Sequence, residues 1–290
     1  MCRWRRVTLV KTVRFAEYRQ YEQIRTRANN AVMGLLAGAG MAAHLLQLTE
    51  GSDRLLSEIF PNVPHIRRLD MKSVSARAIL TSGDVHLGAM TVPYVLGIHE
   101  DFIKTCLGML QRAGHTLSKP DVRYIKAWTQ HEEIERATGG NFSPVELQQF
   151  HILRLMRNCS IHAGGLVDAD LAKHLASWDV TSEASWVARA GRSPRSVQLG
   201  DQVEFGHGEI VASLACTKAL AREANVLLQP ALSREAWADL VVEDAVGELP
   251  GVLKEPPPQR QRRIKGFARF HYLPLTLTET EISDAIMRAI

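Results

Sequence analysis

Residues 143–165 read SPVELQQFHILRLMRNCSIHAGG, and this stretch decides the fold class. Ser143-Pro144-Val145-Glu146 joins a capping-box pair to a proline at the first helical position. The serine and glutamate side chains satisfy orphan N–H groups of a first turn, and proline simply lacks the donor that would be left over there. Ile152, Met156, Cys159 and Ala163 then recur at spacings of four, three and four, the period of a buried helical face. Arg154, Arg157 and Asn158 project from the other side, and Gly164 is a natural left-handed stop. The spacing predicts a helix from Pro144 to Ala163.

Similar punctuation recurs on both sides. Ser118-Lys119-Pro120-Asp121 predicts a second helix, antiparallel to the first, with Val122, Ile125 and Trp128 on its buried face and Gly139-Gly140 at its end. Pro93 to Arg112 reads as a third, with Val95, Phe102, Ile103, Cys106, Leu107 and Leu110 apolar and Gly114 as the exit. Downstream, Asp201 and Glu204 make a capping-box-like pair ahead of an alanine-rich helix whose Ile210, Leu214 and Leu228 face a core and which Pro230 closes. Between these, residues 175–200 hold Trp178, Trp186, an alternation of Val197 and Leu199, and the turn formers Gly191 and Pro194. They predict an irregular insertion with a short hairpin.

Tyr18 to Leu48 and Arg54 to Phe60 suit N-terminal helices, Pro256-Pro257-Pro258 marks an extended linker, and Glu279 to Ile290 suits a closing amphipathic helix. The expected fold is therefore mainly α, an antiparallel helical bundle with a short irregular or β-hairpin insertion. Along the chain it divides into an N-terminal helical region (1–84), a bundle (85–235) and a C-terminal extension (236–290).

The chain has 290 residues, enough for a sizeable core, and a net charge of only +4 from 35 basic and 31 acidic residues. Bulk electrostatics therefore do not announce a nucleic-acid binder, and any polyanion site must be local. Cys2, Cys106, Cys159 and Cys216 are scattered without paired spacing, which reads as reduced thiols in a cytoplasmic protein. The apolar run Ala31–Leu46 is too short to span a bilayer, contains Gly34, Gly38, Gly40 and His44, and reads as a buried helix. No membrane association is expected.

The chemistry concentrates at the end of the central helix. Arg157 is a permanent cation with a fork suited to phosphate, Asn158 an orienting amide, and His162 an imidazole in the last turn. There the carboxyl end of the helix dipole favours the imidazolium form. These groups suit RNA cleavage without a metal, in which the ribose 2′-hydroxyl attacks the neighbouring phosphate, His162 moves a proton and Arg157 balances phosphorane charge. On an ideal helix Arg157 and His162 lie about 140° apart, so a site using both is easier to build where two such helices meet, which predicts a symmetric dimer. Among the eleven histidines only His162 follows an arginine at this distance.

Arg157, Asn158 and His162, followed by the Gly164-Gly165 exit, resemble the prokaryotic HEPN family. Its ribonuclease members carry Arg, usually a polar residue next, and His at this spacing near a helix end. The resemblance covers about residues 85–230 and implies a dimeric endoribonuclease of the toxin or phage-defence kind, with RNA as substrate and no cofactor. Glu100 resembles the acidic residue on an earlier helix of such bundles, and Arg154 is a supporting cation. An antitoxin partner or a phage-derived trigger is not specified by the chain.

Other features have plainer readings beside the functional ones. Arg260, Arg262, Arg263, Lys265 and Arg269, interleaved with Phe267, Phe270 and Tyr272, read either as an RNA-tracking surface or as a solvated charge run whose aromatics dock on the bundle. Arg3, Arg5 and Arg6 read as a basic end. His86, His99, His131 and His151 lack a metal-ligand pattern. The alternative to an enzyme is a non-catalytic HEPN-like module binding RNA or protein through Arg157, and the blandest reading is a helical scaffold.

Overall fold

A computed structural model describes residues 12–68, 70–162 and 164–290; Cys2, the basic end at Arg3, Arg5 and Arg6, and Ala163 lie outside them. The chain is mainly helical, with twelve α-helices and no strand among the described residues. They are α1 (Ala16–Gln47), α2 (Leu56–Ile59), α3 (Ser73–Thr81), α4 (Gly83–Arg112), α5 (Gln130–Thr138) and α6 (Pro144–His162). Then follow α7 (Ala169–Ala176), α8 (Val180–Ala190), α9 (His207–Ala231), α10 (Arg234–Glu248), α11 (Pro257–His271) and α12 (Glu279–Arg288). No helix among the described residues is long and apolar enough to cross a membrane.

Packing sorts the chain into two compact units. The first holds the residues up to Ile24, Gly97–Leu147 and Thr217–Ile290; the second holds Arg25–Leu96 and Gln148–Cys216. The boundaries fall inside α1, α4, α6 and α9.

The first unit is built around aromatic rings. Phe15, Tyr18, Trp237 and Tyr272 are almost fully buried, and Tyr21 stacks on Phe102 with ring centres 4.6 Å apart. Within this shell Arg19 donates two hydrogen bonds to Asp244, each 2.8 Å, and Tyr272 donates a third to the same carboxylate at 2.7 Å. Asn225 of α9 holds the entering chain by accepting from the Val13 N–H (2.9 Å) and donating to its carbonyl (2.7 Å). His99 and His131 meet through their Nε2 atoms at 3.0 Å, and burial pushes His99 down to about 3.

The second unit packs α2 and α3 through Leu56 and Ala76 against Leu46 of α1. Gly88 of α4 lies so close to the chain at Phe205 that a Cβ there would sit 2.0 Å from the Phe205 carbonyl oxygen. Trp178 and Trp186 meet edge to face, 5.5 Å between centres, as the buried centre of the α7–α8 region.

The predicted α6 is observed from Pro144 to His162, with Ile152, Met156 and Cys159 buried. Other boundaries differ for identifiable reasons. Asp121 does cap, but it caps a 3₁₀ turn at Val122–Tyr124; the chain then extends at Ile125, and the helix begins only at Gln130, leaving Trp128 exposed. The helix predicted to start at Pro93 starts at Gly83, since burial of Val92, Val95 and Leu96 around the proline outweighs its missing hydrogen bond. The expected hairpin at 175–200 is helix α8 and a 3₁₀ turn at Pro194–Ser196. Asp179 organises it by capping α8 through the Ser182 N–H. The Asp201 carboxylate accepts from the Gln198 N–H, and it is Glu209 that accepts from the Gly206 N–H at the start of α9. Pro257 and Pro258 form no linker: Pro257 opens α11, where an absent N–H costs nothing. The apolar run Ala31–Leu46 is helical, but much of its surface is exposed rather than buried.

Candidate functional site

The geometry of the Arg157–His162 stretch follows from how α6 is held and where it stops. One face of α6 is buried within the second unit through Ile152, Leu153, Met156 and Cys159. Gln149, also fully buried, fixes the rotation of the helix by polar contacts. Its Nε2 donates to Ser185 Oγ at 3.0 Å, and its Oε1 accepts from Arg189 Nη1 at 2.7 Å, both on α8. An apolar face tolerates small rotations, whereas two directed hydrogen bonds do not.

At the carboxyl end, Gly164 and Gly165 take φ values of 64° and 83°, and the Gly165 N–H returns to the Cys159 carbonyl at 3.1 Å. That satisfies one of the carbonyls a helix leaves open at its last turn. The exit is then pinned by a short antiparallel contact. Val203 N–H donates to the Gly165 carbonyl (2.7 Å), Val167 N–H to Asp201 (2.9 Å) and Gly200 N–H to Val167 (3.0 Å). A Cβ at Gly165 would meet only the amide end of the exposed Gln202 side chain, which can swing away, so it is the positive φ that favours glycine there.

On this fixed helix end Arg157 and Asn158 are half-buried and His162 is exposed. Arg157 Nη2 lies 3.4 Å from Asn158 Oδ1, a long contact that turns the guanidinium toward the amide. Helical geometry adds what reading the motif alone did not. His151, Arg154, Asn158 and His162 fall within about 80° of one another around the axis, whereas Arg157 stands off that stripe. Arg154 is therefore the cation that shares a face with Asn158 and His162.

A third imidazole joins the stripe from α7. The His174 ring lies 6.2 Å from that of His151, edge to face. Burial, then the Arg154 charge, then His174 hold His151 down to about 4; burial and Arg154 hold His174 below the ordinary histidine range. Both are thus neutral near pH 7. His151 Nδ1 and His174 Nε2 are buried without a hydrogen-bond partner among the described residues. The spacing of three, four and four from His151 to His162 was available in the sequence; nothing in it pointed to His174. The stripe can present donors along about 16 Å of helix.

The remaining predicted residues lie elsewhere. Glu100, half-buried on α4 beside the fully buried His99, belongs to the first unit, not to the unit carrying the motif. Of the C-terminal cations, Arg263 pairs with Glu255, Lys265 with Glu279 at 2.9 Å and Arg269 with Glu279 at 3.9 Å. Arg260 donates to the Leu253 carbonyl at 2.9 Å, while Arg262 is exposed. Tyr272, the residue that ends α11, is buried and Phe270 exposed, and carboxylates flanking α11 pair with several of its cations.

No family model matches the chain, and neither the curated proteins nor the solved structures contain a detectable relative.

Proposed function

We propose that this chain is a metal-independent endoribonuclease of the HEPN type, acting as a homodimer in a toxin or phage-defence role. The observation that supports this reading best is His162, an exposed imidazole on the last turn of α6, one turn after Asn158 and close in sequence to Arg157. In the proposed reaction the ribose 2′-oxygen bonds to the adjacent phosphorus while the bond from phosphorus to the 5′-oxygen breaks. One His162 takes the 2′-hydroxyl proton, and the His162 of a second copy gives a proton to the leaving 5′-oxygen. Arg157 offsets the charge that builds on the phosphorane, and Asn158 orients the phosphate. The products are a 2′,3′-cyclic phosphate and a 5′-hydroxyl. Two copies also answer the angular problem, since Arg157 and His162 of one helix diverge by about 140°.

That same divergence favours a second reading, a non-catalytic module that binds RNA or a protein partner through Arg157. One experiment separates the two. Purified protein incubated with RNA in the presence of a chelator should generate 2′,3′-cyclic phosphate ends, and His162→Ala should lower the rate about 100-fold or more with an unchanged thermal midpoint. Binding without cleavage selects the second reading, and full activity in a folded His162→Ala protein would falsify the mechanism.

A further inference from the structure

We infer that the carboxyl-terminal half of α1 is a self-association surface, and that its occupant is the same helix of a second copy of this chain. Five exposed residues carry the inference: Ala31, Gly34, Gly38, Met41 and Leu45. Their spacing is three, four, three and four, and Leu48, in the turn that ends the helix, continues it with a further three. Alternation of three and four keeps one seam facing a partner helix along its whole length, the arrangement that lets side chains of one helix enter gaps in the other. The larger members stand out in solvent, with Met41 69%, Leu45 54% and Leu48 86% exposed, and Leu35 beside the seam is 57% exposed.

The seam is not left over from packing within the chain. The other side of the same helix is already used: Ala28, Val32 and Leu46 are buried, and Ala39 approaches Gly83 of α4. A helix apolar on all sides is normally covered on all sides. From Ala28 to Thr49 there is no Lys, Arg, Asp or Glu, so two copies meet without burying or repelling a charge. At Gly34 and Gly38 a Cβ would meet nothing within 4 Å, which leaves room for a second backbone to approach.

The same observations argue against the other occupants. A helix lying on a lipid surface ordinarily carries Lys or Arg along its polar face, and this segment carries none. An unrelated partner would not require the seam to be self-complementary, whereas contact about a two-fold axis does. The seam is about 26 Å long, and one helix pair of that length covers less than the roughly 800 Å² per partner of a standard interface. The association is therefore weak and concentration-dependent. This surface is separate from the end of α6, and the inference does not rest on RNA cleavage.

Sedimentation equilibrium of the full chain from about 1 to about 100 µM tests it, since this range brackets weak dimers. The expected result is a mass that rises with concentration above the 32.3 kDa of one chain, by an amount that a change in the seam reduces. The double variant Met41→Glu, Leu45→Glu should associate measurably more weakly than the parent at every concentration, keeping only what the end of α6 supports, with unchanged helical circular dichroism, and Met41→Leu should behave as the parent. Because Cys106, Cys159 and Cys216 are buried, Met41→Cys in a Cys2→Ser background should form an oxidant-induced dimer through position 41. A parent that remains monomeric, a double variant that associates as strongly as the parent, or a parent that co-sediments with lipid vesicles as a monomer each overturns the inference. RNA cleavage is measured on the same samples, so that loss of association and loss of catalysis are read separately.

Discussion

In the first unit Arg19, Asp244 and Tyr272 complete one another's hydrogen bonds inside a shell of aromatic rings, and the His99–His131 pair is likewise sealed from solvent. In the second unit other residues with chemical or associative potential reach the surface: His162 at a helix end, and Met41 and Leu45 along an uncharged helix. The contrast teaches a division of labour. Polar groups that satisfy each other in a low-dielectric interior specify structure, whereas an exposed imidazole and an apolar seam keep interaction capacity for something else.

The sharpest way to break this contrast is to open the buried network. Asp244→Ala leaves the Arg19 guanidinium and the Tyr272 hydroxyl without their shared acceptor, and loss of one partner of a buried ion pair costs about 3–5 kcal/mol. Urea unfolding of the variant should show a drop of that size. A change below about 1 kcal/mol, the usual value of a surface pair, would mean that the network is not the structural keystone of its unit.

A smaller effect is expected from a probe of the second unit. In Gly88→Ala the new methyl group would overlap the Phe205 carbonyl, and relieving such overpacking costs about 1–3 kcal/mol. Gly108 lies in the first-unit part of the same helix and has nothing within 4 Å of a Cβ, so Gly108→Ala should instead stabilise, by about 0.5–1 kcal/mol. Opposite signs along one helix, read from urea midpoints, sharpen the comparison. Equal signs would show that local packing around α4 is not what distinguishes the two regions.

Acid acts on both units at once. His99 is held down to about 3 and His151 to about 4, both by burial, so the folded state binds fewer protons than the unfolded chain below the ordinary histidine value near 6.5. Stability from these groups is fully present above pH 6.5 and is lost as pH falls toward 4 and 3. Going from pH 7.5 to 5.5 should lower the urea midpoint, by the equivalent of about 1 kcal/mol for each histidine. A midpoint that is flat over this interval would remove the claim that both rings are buried in the neutral form.

How much of this was legible from residue order depends on the range of the forces involved. α12 and the Gly114 exit carry their own caps and stops, which act within one turn, whereas α6 carries half of its predicted box: Ser143 Oγ accepts from the Glu146 N–H at 3.4 Å, but the Ser143 N–H donates to Glu223 of α9 at 2.9 Å. Pro93 and Pro257 misled because proline is a breaker only where a backbone donor is needed and packing does not compensate. Gly191, Pro194 and the alternation of Val197 and Leu199 suggested irregular chain with a hairpin, yet Asp179 caps α8 and Trp186 packs it against Trp178. At the candidate site, Arg157, Asn158 and His162 were visible as a motif, and Arg154 as a nearby cation. Its alignment with His151 needed the helix to be drawn, and His174 needed α7 to be folded back against α6.

The antiparallel contact that pins Gly165 and Val167 to residues 200–203 closes the intervening segment into a loop whose two ends lie side by side. Lengthening such a closed loop adds little entropic cost, about 0.6 kcal/mol for each doubling. The exposed Gln198 and Leu199, just ahead of that contact, are thus a place where descendants of this chain can acquire extra sequence, or an engineer can graft a peptide, while the helix end bearing His162 stays where it is.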